Sequence, residues 1–156
     1  CKVDLADETI GFRINKWELK GVPVRIEVGA KELEQKTITV ARRDTGEKTS
    51  IHMEGCAAAI QETLEKIQTD LYTKAEKFLF DNTHVVNSYD EFKTTLEEKH
   101  GFLKALWCED AECEASIKEE TKATTRCLPL DTPEEVGTCV RCGKEAKHRW
   151  IFAQSY

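Results

Sequence analysis

The stretch CEDAEC at residues 108–113, followed by CVRC at residues 139–142, decides the fold of the C-terminal part of this chain. Each stretch carries two cysteines at the spacing of a tight turn, and 25 residues separate the two pairs. A tetrahedral zinc ion requires such an arrangement, because each turn supplies two sulfurs and the intervening segment brings the turns together. A site with four thiolate ligands has no open position for substrate, so we expect this zinc to be structural. The predicted ligands are Cys108, Cys113, Cys139 and Cys142.

Two other uses of these cysteines stay open at this point. Disulfide bonds are one, although the chain has 7 cysteines, an odd number, and shows no signal peptide that would place it outside the cell. A thiol oxidoreductase using Cys139 and Cys142 is the other, because their CxxC spacing suits that chemistry. An oxidoreductase needs its first thiol at a helix N-terminus, whereas Gly143 and the polar residues 144–147 favour a helix only weakly.

The composition and charge bound the class of protein. The chain has 156 residues, 40% of them hydrophobic and 33% charged, as expected for a soluble cytoplasmic protein with one or two small cores and no membrane contact. Its formal net charge of −6 argues against a non-specific nucleic-acid binder, which would carry a basic face. Residues 1–50 hold ten Lys and Arg against nine Asp and Glu, whereas residues 54–100 hold five against ten. We therefore expect any polyanion to bind to the first third of the chain.

Hydrophobic periodicity predicts the elements of the first half. Residues 9–20 read as a short helix ended by a glycine, and residues 21–29 alternate as a strand with one apolar face, from which Arg25 and Glu27 point away. Two further strands flank the turn DTGE at residues 44–47 and predict a β-hairpin. A long helix is predicted to follow from residue 57, because apolar residues then recur at helical spacing.

The second half mixes short helices and strands. The sequence SYDE at residues 88–91 is a capping box that predicts a helix to about residue 99. Strands are predicted at residues 101–107, 124–130 and 148–154, with a short helix at residues 112–120. Cys127 and His148 are competing zinc ligands, although we expect Cys127 to be a buried thiol within its strand.

Several stretches, taken together, resemble the C-terminal part of prolyl-tRNA synthetases of the type shared by archaea, eukaryotes and some bacteria. WELKGVPVRIEVG at residues 17–29 and RRDTGEK at residues 42–48 are similar to segments of that family's anticodon-binding domain. The sequences at residues 108–129 and 137–156 resemble its zinc-binding C-terminal domain, down to the final tyrosine. One departure is Ala30, which stands where the family usually has proline.

The resemblance implies a fold and a division into domains. We expect an α/β fold, part of a class II anticodon-binding domain with a mixed sheet and helices, at residues 1–86. A small α+β zinc-binding domain is expected at residues 87–156. The chain begins at Cys1 and its only methionine is Met53, so we expect it to be the C-terminal piece of a longer protein. In the family, the catalytic core with its ATP, Mg²⁺ and proline sites lies upstream, so we expect no catalytic residues here.

The resemblance also implies a function and its residues. The family attaches proline to tRNA(Pro) in an ATP-dependent two-step reaction, and this region reads an anticodon whose last two bases are guanines. Guanine offers O6 and N7 to an arginine, and its N1–H and N2–H₂ to a carboxylate. By motif position, the anticodon-binding residues would be Glu18, Arg25, Lys31, Lys48 and Arg43.

The resemblance further implies contacts with protein partners. Tyr156 would reach toward the upstream catalytic domain of the same chain, and the full-length enzyme is expected to be a homodimer. Two other classes of protein remain as alternatives. One is a free-standing zinc-ribbon module that binds protein, and the less favoured one is the CxxC oxidoreductase described above.

Overall fold

The chain divides into two units, Cys1–Ala75 and Glu76–Tyr156, in a computed structural model that describes residues 1–154. The predicted division after residue 86 stays a prediction. Within the described residues, every helix is too short or too polar to cross a membrane. The mixture of helices and sheets confirms the predicted α/β class with a small α+β part.

The N-terminal unit is built on a three-stranded antiparallel sheet. Its elements in chain order are α1 Ile10–Leu19, β1 Val24–Glu27, α2 Ala30–Gln35, β2 Thr37–Arg42 and β3 Lys48–His52, followed by α3 Cys56–Asp81, whose last six residues lie beyond the boundary after Ala75. The middle strand is β2, and it pairs antiparallel with both neighbours, so this sheet is antiparallel and not mixed as expected. Its inward-facing residues Ile38 and Val40 are 6% and 4% exposed, so this strand supplies much of the unit's apolar core.

Two features of this unit differ from the sequence prediction. Helix α2 was not predicted, because its six residues include a single large apolar one and give no periodic signal. It begins where the Glu32 carboxylate accepts a hydrogen bond of 3.0 Å from the Gly29 N–H. Helix α3 has 26 residues and begins at Cys56, one residue before the predicted start at residue 57.

The C-terminal unit contains a four-stranded sheet and a small hairpin. Its elements are β4 Thr83–Val85, α4 Tyr89–Glu98, β5 Phe102–Trp107, α5 Ala111–Thr121, β6 Ala123–Cys127, β7 Gly137–Thr138, β8 Glu145–Ala146 and β9 His148–Gln154. The larger sheet has the order β4-β5-β9-β6, in which only the β4–β5 pair is parallel. Strands β7 and β8 pair with each other. The three shortest strands, β4, β7 and β8, were not predicted, because two or three residues carry no alternation.

Aromatic packing fills the core of the C-terminal unit. Phe92 of α4 and Phe152 of β9 are both fully buried, with ring centroids 5.3 Å apart in an edge-to-face contact. Trp107 of β5 meets Trp150 of β9 in the same way at 5.2 Å. Cys113 and Cys139 belong to this same buried cluster, so the core continues directly into the cysteine site.

The predicted cap of α4 is confirmed in the structure. The Ser88 hydroxyl accepts a hydrogen bond of 3.2 Å from the Glu91 N–H, and the Glu91 carboxylate accepts one of 2.8 Å from the Asn87 N–H. The first bond satisfies an N–H group in the first turn of the helix that carries the buried Phe92 and Leu96, and the second bond satisfies the N–H of the residue just before the cap.

We expect Ser88→Ala to lower the free energy of unfolding of the C-terminal unit by about 1 kcal/mol, because the cap is lost while the buried face of α4 is kept. Urea denaturation followed by circular dichroism measures the change. Ser116→Ala, within α5, is the matched control and should be close to neutral. Equal stability of Ser88→Ala and the unaltered protein would contradict the role of this cap.

Candidate functional site

Strand ends and helix starts bring the four predicted zinc ligands together. Cys108 directly follows β5, Cys113 lies in the first turn of α5, and Cys139 directly follows β7. With Cys142, their sulfurs all lie within 4.8 Å of one another. The Cys108 and Cys142 sulfurs are 3.5 Å apart, and those of Cys113 and Cys139 are 3.7 Å apart.

These separations match a tetrahedral metal site. Four sulfurs at a Zn–S distance of about 2.3 Å lie about 3.8 Å from one another. A disulfide would need a sulfur–sulfur distance of about 2.05 Å, and all four thiols are free in the structure. The donor set and its spacing therefore fit zinc, which would be held by all four sulfurs with no position left for a substrate.

Local hydrogen bonds shape each of the two cysteine turns. In the first, the Asp110 carboxylate caps α5 by accepting hydrogen bonds from the N–H groups of Glu112 and Cys113 at 2.9 and 3.3 Å. In the second, the Cys139 N–H donates to the Lys144 carbonyl at 2.8 Å. The Lys144 ammonium donates to Asp110 at 2.8 Å, so an ion pair joins the two turns.

The thiols differ in how easily they ionise. Burial raises the pKa of the Cys113 thiol, and the neighbouring Cys139 thiolate raises it further. Burial also opposes ionisation of Cys139, but the backbone N–H groups of Cys142 and Arg141 lower its pKa to about 7. The Cys139 thiol therefore ionises more easily than the Cys113 thiol.

The structure gives little support to a redox role for Cys139 and Cys142. Cys139 follows a two-residue strand and enters a turn, and so does not begin a helix as a redox thiol does. Each of these sulfurs instead lies beside a sulfur of the first cysteine pair.

Neither competing ligand joins the cysteine cluster. Cys127 is exposed, which corrects the expectation of a buried thiol. The β6–β9 pairing shifts register between Thr125 and Cys127, and such a bulge re-aims the side chains beyond it. His148 pairs across the sheet with Trp107 at the start of β9, and the described metal-binding group does not include it.

A second candidate site lies on the polar face of the N-terminal sheet. The Arg25 guanidinium donates from Nη1 to the Glu18 carboxylate at 3.1 Å and from Nε to the Glu27 carboxylate at 2.9 Å. The other oxygen of Glu27 accepts from the Lys48 ammonium at 3.0 Å. We call these four residues the charged network. It contains three of the predicted anticodon readers, and Glu27 links two of them, Arg25 and Lys48. From the sequence, Glu27 was expected only to be a partner for Arg25.

Strand register explains why the charged network forms. Arg25 lies opposite Ala41 on β2, and Ala41 lies opposite Lys48 on β3, so the three residues form one row across the sheet. Residues directly opposite each other in an antiparallel pair project to the same face. Glu27 projects to that face as well, two residues along β1 from Arg25. The Lys48 ammonium, followed by the Arg25 guanidinium, lowers the pKa of Glu27, which is therefore ionised at neutral pH.

The remaining predicted contacts stand apart from the charged network. Lys31 lies exposed in the first turn of α2, and Arg43 lies exposed just after β2. The Arg43 N–H donates to the Pro23 carbonyl at 2.9 Å, which holds the end of β2 beside the start of β1. Tyr156 lies outside the described residues.

Models of known protein families match both halves of the chain. A family model described as "Anticodon binding domain" matches residues 1–63, and one described as "Prolyl-tRNA synthetase, C-terminal" matches residues 89–156. The predicted resemblance is thereby confirmed. The charged network lies within the first match and the cysteine cluster within the second.

Whole-chain relatives give the same result. The chain is 50% identical over 153 residues to "Proline--tRNA ligase 2" of Clostridioides difficile (strain 630), covering 98% of this chain and 32% of that protein. It is 46% identical over 156 residues to "Proline--tRNA ligase" of Cytophaga hutchinsonii, covering 99% of this chain and 32% of the relative. The corresponding protein of Oceanobacillus iheyensis is 42% identical over 154 residues, with 99% and 32% covered. The chain thus spans about a third of the length of these relatives.

Proposed function

Since this chain belongs to the prolyl-tRNA synthetase family and matches its C-terminal part, we propose that it recognises tRNA(Pro) by reading the anticodon. The charged network is the observation that carries this proposal. It places an arginine fork and a carboxylate side by side on an exposed face, in the segment that matches an anticodon-binding domain. A free-standing interaction module is not favoured, because relatives match the whole chain.

The chemistry of guanine suits this pair of groups. Bases in a single-stranded loop are splayed out, so that a protein can bond to their edges. Arg25 would donate two parallel hydrogen bonds to O6 and N7 of a guanine, and Glu18 would accept from N1–H and N2–H₂. Lys48, Lys31 and Arg43 would add contacts to base edges or phosphates.

The cysteine cluster would serve this function indirectly. Cys108, Cys113, Cys139 and Cys142 would hold a zinc ion that supplies a structural cross-link between two turns. The cluster is continuous with the aromatic core, so the metal would stabilise the unit as a whole. We assign no chemical step to it.

The rest of the family's activity belongs to parts that this chain does not cover. Aminoacylation of tRNA(Pro) with proline, with its ATP and Mg²⁺ sites, would take place in an upstream catalytic domain, as the resemblance to the family implies. We propose a cytoplasmic, homodimeric enzyme in which this chain supplies the domains at residues 1–86 and 87–156. Tyr156 would contact the catalytic domain.

The experiment that tests the proposal is RNA binding by the purified chain. We expect a short hairpin carrying the proline anticodon to bind more tightly than the same hairpin with adenine at either of its last two positions. Each change should cost about 1–3 kcal/mol, the usual size of a bidentate base contact. Fluorescence anisotropy at fixed salt measures the dissociation constants, because salt alone changes such affinities strongly. Equal affinity for all hairpins would contradict the proposal.

A further inference from the structure

Glu27 links two of the predicted guanine readers, and none of the matches assigns it a role. Its two carboxylate oxygens have different partners, since one accepts from Arg25 Nε at 2.9 Å and the other from Lys48 Nζ at 3.0 Å. The side chains of Glu27 and Arg25 are 35% and 27% exposed. The hydrogen bonds of Glu27 therefore lie at the protein surface, where RNA could reach them.

The hydrogen bond from Arg25 to Glu27 determines which N–H groups of the Arg25 guanidinium remain available to bond to a base. A guanidinium can present two parallel N–H groups either from its side, through Nε and Nη2, or from its end, through Nη1 and Nη2. Glu27 occupies Nε and so blocks the side. Nη2 donates to no acceptor within residues 1–154, so the end of the fork keeps an available donor.

Glu18 is the partner that RNA can displace. Its carboxylate bonds to Nη1 at 3.1 Å, is 48% exposed and has a single ion-pair partner among residues 1–154. Glu27 is less exposed and is held by two cations at once. A guanine that takes Nη1 and Nη2 frees the Glu18 carboxylate, which can then accept from N1–H and N2–H₂ of a base.

We propose that Glu27 is a positioning residue of the anticodon site, which holds Arg25 and Lys48 so that the end of the arginine fork faces guanine. The inference rests on the proposed function and extends it to a residue that contacts no base itself. Without Glu27, Arg25 would rotate freely and Lys48 would lose the anchor that keeps it beside the same base.

Single-atom changes in the RNA test this inference. The binding of the guanine hairpin is compared with hairpins carrying 7-deazaguanine, which lacks N7, or inosine, which lacks the N2 amino group. In the unaltered chain, both changes should weaken binding several-fold, the first through Arg25 and the second through Glu18. Glu27→Gln should weaken guanine binding about tenfold, abolish the 7-deazaguanine penalty and leave the inosine penalty in place.

Two further variants separate positioning from charge and from folding. Glu47→Gln removes the same charge in the exposed β2–β3 turn and should leave binding nearly unchanged. Glu27→Asp keeps the charge but is too short to bridge both cations, so it should show the same loss as Glu27→Gln. It also carries the test if Glu27→Gln does not fold, which thermal unfolding would reveal.

Each outcome has a separate meaning. An unaltered chain that fails to prefer guanine over adenine overturns the proposed function itself. A chain that prefers guanine, with Glu27→Gln keeping both its affinity and its 7-deazaguanine penalty, overturns the role of Glu27 alone. A uniform loss of affinity with that penalty intact, or Glu27→Asp binding as the unaltered chain does, shows an effect of charge and also overturns positioning.

Discussion

Removal of metal from the cysteine cluster is expected to unfold the C-terminal unit while the N-terminal unit keeps its structure. Structural zinc contributes an apparent 10–16 kcal/mol or so to small domains, and whole domains are stable by only about 5–15 kcal/mol. Cys113 and Cys139 are 8% and 2% exposed, so stripping the metal removes a cross-link that lies inside the core. Nuclear magnetic resonance of the chelated protein should show collapse of amide dispersion across the described part of the C-terminal unit, residues 76–154.

The control for this prediction is the exposed Cys127. Cys127→Ser removes a thiol outside the cluster and should keep one zinc per chain by elemental analysis. Cys139→Ser should lose both the metal and the native spectrum of the C-terminal unit. Retention of native amide dispersion after complete metal removal would show that the aromatic core around Phe92 and Phe152 suffices without zinc.

The second large effect is expected for Arg25→Ala, which should weaken binding of the proline anticodon hairpin by about 1–3 kcal/mol. The loss has two sources. The bidentate contact to guanine disappears. The carboxylates of Glu18 and Glu27 also lose the guanidinium cation that pairs with them in the unaltered chain. Anisotropy titration at fixed salt measures the change.

Charge and geometry can be separated at the same position. Arg25→Lys keeps the positive charge but lacks the planar fork, so it should recover little of the guanine preference. Lys66→Ala, on the exposed surface of α3, removes one positive charge elsewhere and should have a minor effect. An unchanged dissociation constant for Arg25→Ala would refute the assignment of Arg25 as a base reader. Full preference for guanine in Arg25→Lys would show that charge alone is read.

The elements that sequence patterns predicted are those with strong local signals. Helix α4 was predicted from Ser88 and Glu91, because a capping box satisfies N–H groups wherever the helix is placed. The β2–β3 hairpin was predicted because its turn and flanking strands are contiguous in the chain. Helix α2 and strands β4, β7 and β8 were not predicted, since such short segments depend on partners elsewhere in the fold.

The exposure of Cys127 shows how a tertiary detail overrides a local pattern. A free cysteine within a predicted strand favoured a buried thiol, but the β6–β9 pairing shifts register between Thr125 and Cys127. Because side chains alternate with a period of two, a single irregular residue is enough to reverse a face.

The sequence by itself determined which four cysteines form the cluster, the family resemblance and the residue types that suit guanine, because spacing and motif are properties of the chain alone. The tertiary structure decided which of these groups meet. Cys108 lies beside Cys142, 34 residues away, and Glu27 meets Lys48 across 21 residues. Strand register and the packing of turns set such contacts, and a local pattern of residues does not encode them. For that reason the link that Glu27 makes between Arg25 and Lys48 follows from the pairing of the three strands and not from the sequence pattern.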